Sequence, residues 1–321
     1  MKKIYLLFMM ALLFLGLMVG CGNSSAAESE DGDSLRVIAT IFPQYDFVRQ
    51  IAGDRVELSM LLSPGAESHG FEPTPRDIIA LNNADLLIYV GGHGDTWVDP
   101  ILASLERDDM RTVALVDLVD VVEIAHIGHD HGHDHDDHGH DHDHDHQYDE
   151  HVWTSPRNAI LIVEALTNVL SELDPNNAYF FRQNADAFIV ELRGLDQAFA
   201  DVVANSVRRT VVFGDRFPFR YLMDDHGLTF YAAFDGCSVE TQASPGTIAY
   251  LINKVQDENI PFVFYIEFSN RLIANVIAEA TGAQLLELHS THNVSHADFN
   301  VGITYLDLMH RNVDALREAL S

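Results

Sequence analysis

Residues 35–61 read LRVIATIFPQYDFVRQIAGDRVELSML, and the change of period inside them decides the fold. LRVIAT (35–40) and VELSML (56–61) are short aliphatic and β-branched runs, whereas QYDFVRQIAG between them repeats its apolar positions at helical spacing. A helix that joins two strands acts as a crossover and makes those strands parallel. The unit recurs downstream. DLLIYVG (85–91) and RTVALVDL (111–118) read as buried strands, and PRDIIALNNA (75–84) and TWVDPILASLER (96–107) as the helices that precede them.

A second series follows, with strands RTVVFG (209–214), LTFYAAF (228–234), FVFYIEF (262–268) and AQLLELH (283–289). Its helices fall near 219–226, 247–259, 271–281 and 303–320. Between the two series Pro156 opens a helix to about Leu173, and Asp174-Pro175 restarts one that runs to about Ala204. Two helices without a strand interrupt the alternation and read as a connector. The expected fold is α/β, with two similar (β/α)4-like lobes of mainly parallel sheet over 35–155 and 205–321 and a helical connector over 156–204. Ligands in such sheets bind beyond the carboxyl ends of the strands, here in a cleft between the lobes.

The N-terminus carries its own signal. Lys2 and Lys3 precede an apolar run from Ile4 to Val19, as in a secretory signal peptide over 1–20, and the run is marginal for a bilayer span. Leu17-Met18-Val19-Gly20-Cys21 resembles a bacterial lipobox, which implies cleavage before Cys21 and lipid on it. Residues 21–34 are then a flexible lipidated tether, and the expected location is extracytoplasmic, on a membrane by a lipid anchor. Cys237 is the one other cysteine, so a lipidated chain forms no internal disulfide; in Asp-Gly-Cys-Ser it reads as a buried thiol ahead of a metal ligand.

The formal charge is -30 with only 19 Lys and Arg, which excludes nucleic acid as a partner and raises the local concentration of cations. Residues 126–146, HIGHDHGHDHDDHGHDHDHDH, hold ten histidines and seven aspartates. Such a stretch builds no core, so 126–148 is expected to be a disordered loop, and imidazole and carboxylate at that density suit a metal cation. His129, His131, His133, His135, His138, His140, His142, His144 and His146 are its expected auxiliary zinc-binding groups. Ordering a flexible chain around one ion costs conformational entropy, so the tract would collect metal in weak, interchangeable sites.

Eight histidines lie outside it, and those after strands matter most. His69 lies in SPGAESHGFEPTPRD, His151 in DEHVWTSP, and His289 and His292 in ELHSTHNVS. His93 reads as a loop residue near the cleft, His226 as a cation at a helix end, and His310 as surface or satisfied core. No H-E-x-x-H pair and no G-x-x-x-x-G-K-[ST] loop occurs, which argues for a binding module and against an enzyme. Glu150, beside His151, is the nearest candidate base of a zinc hydrolase and reads better as a turn residue.

TIFPQYDFV (40–48), PGAESHGFEPTPRD (64–77), DEHVWTSP (149–156) and the acidic, histidine-rich insertion resemble the ZnuA-like zinc and manganese solute-binding lipoproteins of ABC transporters, over essentially Leu35 to Leu320. The resemblance implies two lobes joined by a long rigid helix, with a metal at the interlobe cleft. It places His69 as first ligand and His151 as second. His292 falls where manganese binders of the family carry a carboxylate, with His289 as its competitor. The family's His or Glu three residues before a Phe and five before a Tyr corresponds, counting from Phe219 and Tyr221, to Arg216, whose guanidinium has no lone pair for a metal. Asp215 is therefore the expected oxygen donor and Glu267 an alternative, with Arg216 orienting a carboxylate. Three imidazoles and one carboxylate favour Zn2+ over Mn2+. The implied function is capture of Zn2+ and its delivery to an ABC permease; the alternatives are a Mn2+-binding homologue and a metal-storing surface adhesin.

Overall fold

β1 (Leu35–Ala39) pairs with β2 (Val56–Met60) in parallel register, Leu35 opposite Val56 through Ala39 opposite Met60. The crossover between them is α1 (Phe42–Ala52), with Pro43 in its first turn and Phe47, Val48, Ile51 and Ala52 buried. The computed structural model describes residues 34–66, 71–105, 109–124, 148–236 and 243–321. The signal peptide, Cys21, the tether up to residue 33, His69, the tract from His129 to His146 and Cys237 lie outside the described residues, as does the side chain of His93.

After α2 (Pro75–Asn83), opened by a reciprocal cap between Thr74 and Asp77, β3 (Leu86–Tyr89) returns to the far side of β1. A short helix, α3 (Val98–Leu102), and β4 (Arg111–Ala114) complete a sheet of order β2-β1-β3-β4. RTVALVDL is a strand only in its first half: Leu115–Leu118 form a 3-10 turn. There Val116 packs onto Gly91, where a Cβ would sit 2.6 Å from Val116 Cγ2.

α4 (Pro156–Leu173) and α5 (Ala178–Ala204) form the connector. Ser155 caps α4 by accepting from the N–H groups of Arg157 and Asn158, each at 3.1 Å. At 27 residues α5 spans roughly 40 Å. Its Phe181, Phe188, Leu192, Leu195 and Phe199 face the core, each buried side chain contributing about 1.5–3 kcal/mol.

The second lobe comprises β5 (Thr210–Phe217), α6 (Arg220–His226), β6 (Thr229–Asp235), α7 (Pro245–Asp257), β7 (Phe262–Tyr265), α8 (Leu272–Thr281) and β8 (Gln284–Glu287). Two C-terminal helices follow, α9 (His296–Asn300), which the sequence pattern does not reveal, and α10 (Tyr305–Leu320). The sheet order is β6-β5-β7-β8, the same path as in the first lobe. β5 runs three residues past its predicted end, with a register shift between Phe213 and Arg216. Gly214 permits this: a Cβ there would lie 2.4 Å from Ala274 Cα, so only glycine lets α8 close on the strand. Asp215 and Arg216 thus belong to a strand end and not to a free turn.

Asp46 fastens the lobes together. Its buried carboxylate pairs with Arg49 at 2.5 Å and accepts the Tyr305 N–H at 2.6 Å, while Arg49 Nη2 donates to Ile303 O at 2.6 Å. Burial raises the Asp46 pKa against the opposing pull of Arg49. His226 ends α6 ahead of left-handed Gly227, but the expected cation is not favoured: burial lowers its pKa despite Asp196 at 3.3 Å.

Candidate metal centre

Both sheets turn back on themselves beside their first strand, β1 between β2 and β3 and β5 between β6 and β7. The loops that leave the carboxyl ends carry the chemistry. In the first lobe the chain beyond β4 returns at Tyr148, which bridges Glu123, and the Asp149 N–H donates to Val122 O at 2.9 Å. The Tyr221 hydroxyl, from α6 of the other lobe, donates to Asp149 O at 2.6 Å and accepts from Val122 N at 3.3 Å.

His151 follows two residues later and is 2% exposed. Asp149 Oδ1 accepts its backbone N–H at 2.9 Å and lies 2.8 Å from its Nδ1. A carboxylate at Nδ1 keeps the proton there and leaves Nε2 with the lone pair, as metal-binding imidazoles require. Gly236, at the end of β6, roofs the ring: a Cβ there would lie 3.1 Å from His151 Cε1 and 2.8 Å from the Phe217 carbonyl oxygen. Neither Asp149 nor Gly236 stands out in the sequence, since their roles depend on contacts made across the fold.

The second lobe brings His292 to the same place. Its ring centroid is 5.9 Å from that of His151, and the Trp153 ring touches both, at 5.0 Å and 5.3 Å. Trp153 Nε1 donates to Ser290 O at 2.9 Å, and the Phe42 N–H of the first lobe donates to His292 O at 3.2 Å. Asn293 Nδ2 donates to Ser63 O and Ala66 O, each at 2.8 Å. The loop that leads toward residue 69 is therefore tied to the loop that carries His292.

His289 is placed differently. Its Nδ1 accepts the Thr291 N–H at 3.0 Å, which puts the ring proton on Nε2 and leaves that nitrogen no lone pair for a metal. Nδ1 also lies 3.7 Å from Glu267 Oε2. Both Glu267 oxygens face Ser290: Oε2 accepts its N–H at 2.7 Å and Oε1 its hydroxyl. Asp215 accepts from the N–H groups of Arg216 at 2.9 Å and Ile266 at 3.4 Å, and from Ser269. Burial raises its pKa, opposed by those bonds and by the Arg216 guanidinium. Arg216 thus neighbours Asp215, while Glu267 is oriented by Ser290. Among the described residues no three His, Cys, Asp or Glu side chains form a group that could hold a metal, and the rings of His151 and His292 are the two imidazoles that meet.

The family model for the zinc-uptake complex component A, periplasmic, matches residues 37–319. The chain belongs to that family. It is 30% identical to the zinc-binding lipoprotein AdcA of Streptococcus pneumoniae over 99% of its own length and 61% of the relative's, so it spans about three fifths of that protein. It is 31% identical to the high-affinity zinc uptake system protein ZnuA of Bacillus subtilis, covering 99% of this chain and 98% of that one. The crystal structure of the Zn(II)-bound ZnuA-like domain of S. pneumoniae AdcA superposes with a TM-score of 0.72 at 26% identity, over 89% of this chain and 99% of that one. In this zinc-uptake family member no helix among the described residues is long and apolar enough to cross a membrane.

Proposed function

We propose that this protein is the extracytoplasmic solute-binding component of an ABC-type importer, which grips Zn2+ between its lobes and delivers it to a membrane permease. The observation that carries the reading is the meeting of His151 and His292, 141 positions apart in the chain and from opposite lobes, with ring centroids 5.9 Å apart and Asp149 fixing the tautomer of the first. His69 supplies the third imidazole, on the loop anchored by Asn293, and Asp215 is the carboxylate candidate for the fourth position. Imidazole-rich donation favours zinc over manganese. Cys21 carries the lipid anchor, and the tract feeds metal to the cleft. The protein binds and releases the ion and performs no catalysis.

Competitive zinc titration of the full mature chain tests this. Zinc sites release about 10–16 kcal/mol over four ligands, so removal of one, in His151→Ala or His292→Ala, weakens the tightest site by about 100-fold or more. Deleting 126–146 lowers the stoichiometry and spares that site. Unchanged tight binding in both histidine variants would falsify the assignment.

A further inference from the structure

Four non-glycine residues among those described have positive φ: Asn259, Phe268, Arg271 and Thr291. Asn259 follows a helix end, where asparagine tolerates the left-handed region. The other three sit in the two loops that leave β7 and β8 at the mouth of the second lobe. Thr291, at φ 60°, is the costliest, because a β-branched side chain crowds the backbone there. It also immediately precedes His292. A strained residue persists only where its surroundings impose the conformation.

Those surroundings converge on Ser290. Trp153 Nε1 and the Thr291 hydroxyl both donate to its carbonyl oxygen, at 2.9 Å and 2.6 Å. Asn312 clasps the preceding residue, donating to His289 O at 2.8 Å and accepting the His289 N–H at 2.7 Å. Glu267 takes both the N–H and the hydroxyl of Ser290, and that hydroxyl accepts the His292 N–H at 3.2 Å. A carboxylate on one strained loop therefore pins the serine of the other, and the serine reaches the backbone of the candidate ligand.

We infer that Glu267 is a positioning residue. It holds Ser290 so that Thr291 stays left-handed and His292 is aimed at His151, and it sets the affinity of the metal site without touching the metal. The inference rests on the reading of His151 and His292 as zinc donors.

The test is a double-mutant cycle on the full chain, read by competitive zinc titration. Partners that orient ligands are worth about 10–100-fold in metal affinity, so Glu267→Gln should weaken binding by that factor. With Thr291→Gly in place the left-handed turn carries no Cβ penalty and needs no pin, so the same Glu267→Gln change should cost under about threefold. Ser290→Ala should behave likewise and serves if Glu267→Gln fails to fold. Zinc-edge absorption on the double variant should count the same nitrogen and oxygen neighbours as on the wild type. Equal losses in both backgrounds, no loss in the threonine background, or one neighbour fewer around the metal each overturn the proposal. Full zinc affinity in His292→Ala instead overturns the zinc reading itself, and the proposal with it.

Discussion

The two lobes share a strand order yet fix their histidines in different ways. His151 in the first lobe, at φ −79° and ψ 45°, stands immediately before a 3-10 turn, with the Asp149 carboxylate at its ring Nδ1 and Gly236 of the second lobe against the ring. His292 in the second lobe follows a residue at φ 60° and is held through Ser290 by Glu267, Trp153 and Asn312. Both imidazoles depend on contacts made across the fold, and of the two His292 alone follows a left-handed, non-glycine residue. The turn that carries His292 is therefore the more adjustable of the two, because a strained turn kept in place by several long-range bonds relaxes when one of them is lost.

Trp153 is shared by the two histidines, so its loss should have the largest effect. It is 1% exposed, lies against both imidazoles and donates to Ser290 O. Trp153→Ala should destabilise the protein by about 3–5 kcal/mol, measured by urea unfolding, and displace both rings. A loss below about 1 kcal/mol would mean that the shared wall is dispensable.

Gly236→Ala should act on His151 alone. The added Cβ meets the His151 ring and the Phe217 carbonyl, and overpacking of this kind costs about 1–3 kcal/mol. The expected result is zinc binding weakened by about tenfold with the His292 turn unchanged in a crystal structure. An unchanged affinity would show that the roof over His151 yields freely.

The smallest effect concerns the loop behind His151. Gly94 N–H donates to both oxygens of Glu150 at 3.0 Å, and Asp95 accepts from Val90 and Gly91 at 2.6 Å and 3.1 Å. Burial, with Glu150 nearby, raises the Asp95 pKa to about 6 even though those bonds favour the ionised form. The folded state therefore binds more protons than the unfolded chain between the ordinary aspartate pKa of about 4 and about 6, and stability falls as pH rises through that window. Asp95→Asn should remove that fall, measured in unfolding experiments at pH 4, 5, 6 and 7. Parallel stability curves for wild type and variant would contradict it.

Much of the architecture was legible in advance because it rests on period and punctuation. The runs at 35–40 and 56–61 became β1 and β2 within a residue, and Pro156 and Asp174-Pro175 marked the connector helices where they occur. The misses have physical causes. RTVALVDL looks like one strand, but Val116 leaves the sheet to pack on Gly91. RTVVFG looks finished at Gly214, yet the absent Cβ there allows α8 to press close while the strand continues. Histidines in loops after strands were the expected metal donors, and of these the structure brings the rings of 151 and 292 together. Which nitrogen each ring exposes was not legible, because tautomers depend on neighbours such as Asp149 and the Thr291 N–H.

By itself the amino-acid order determined the alternation of strand and helix, the two-lobed plan and the types of side chain available for a metal, since these follow from hydrophobic period and from side-chain chemistry. Only the tertiary structure decided that His151 offers Nε2 while His289 offers none, that Glu267 serves a serine, and that strain gathers beside His292. Those outcomes depend on hydrogen bonds between residues such as 267 and 290 or 149 and 221, brought within 3 Å by packing, and local sequence has no means to encode a distance across a fold.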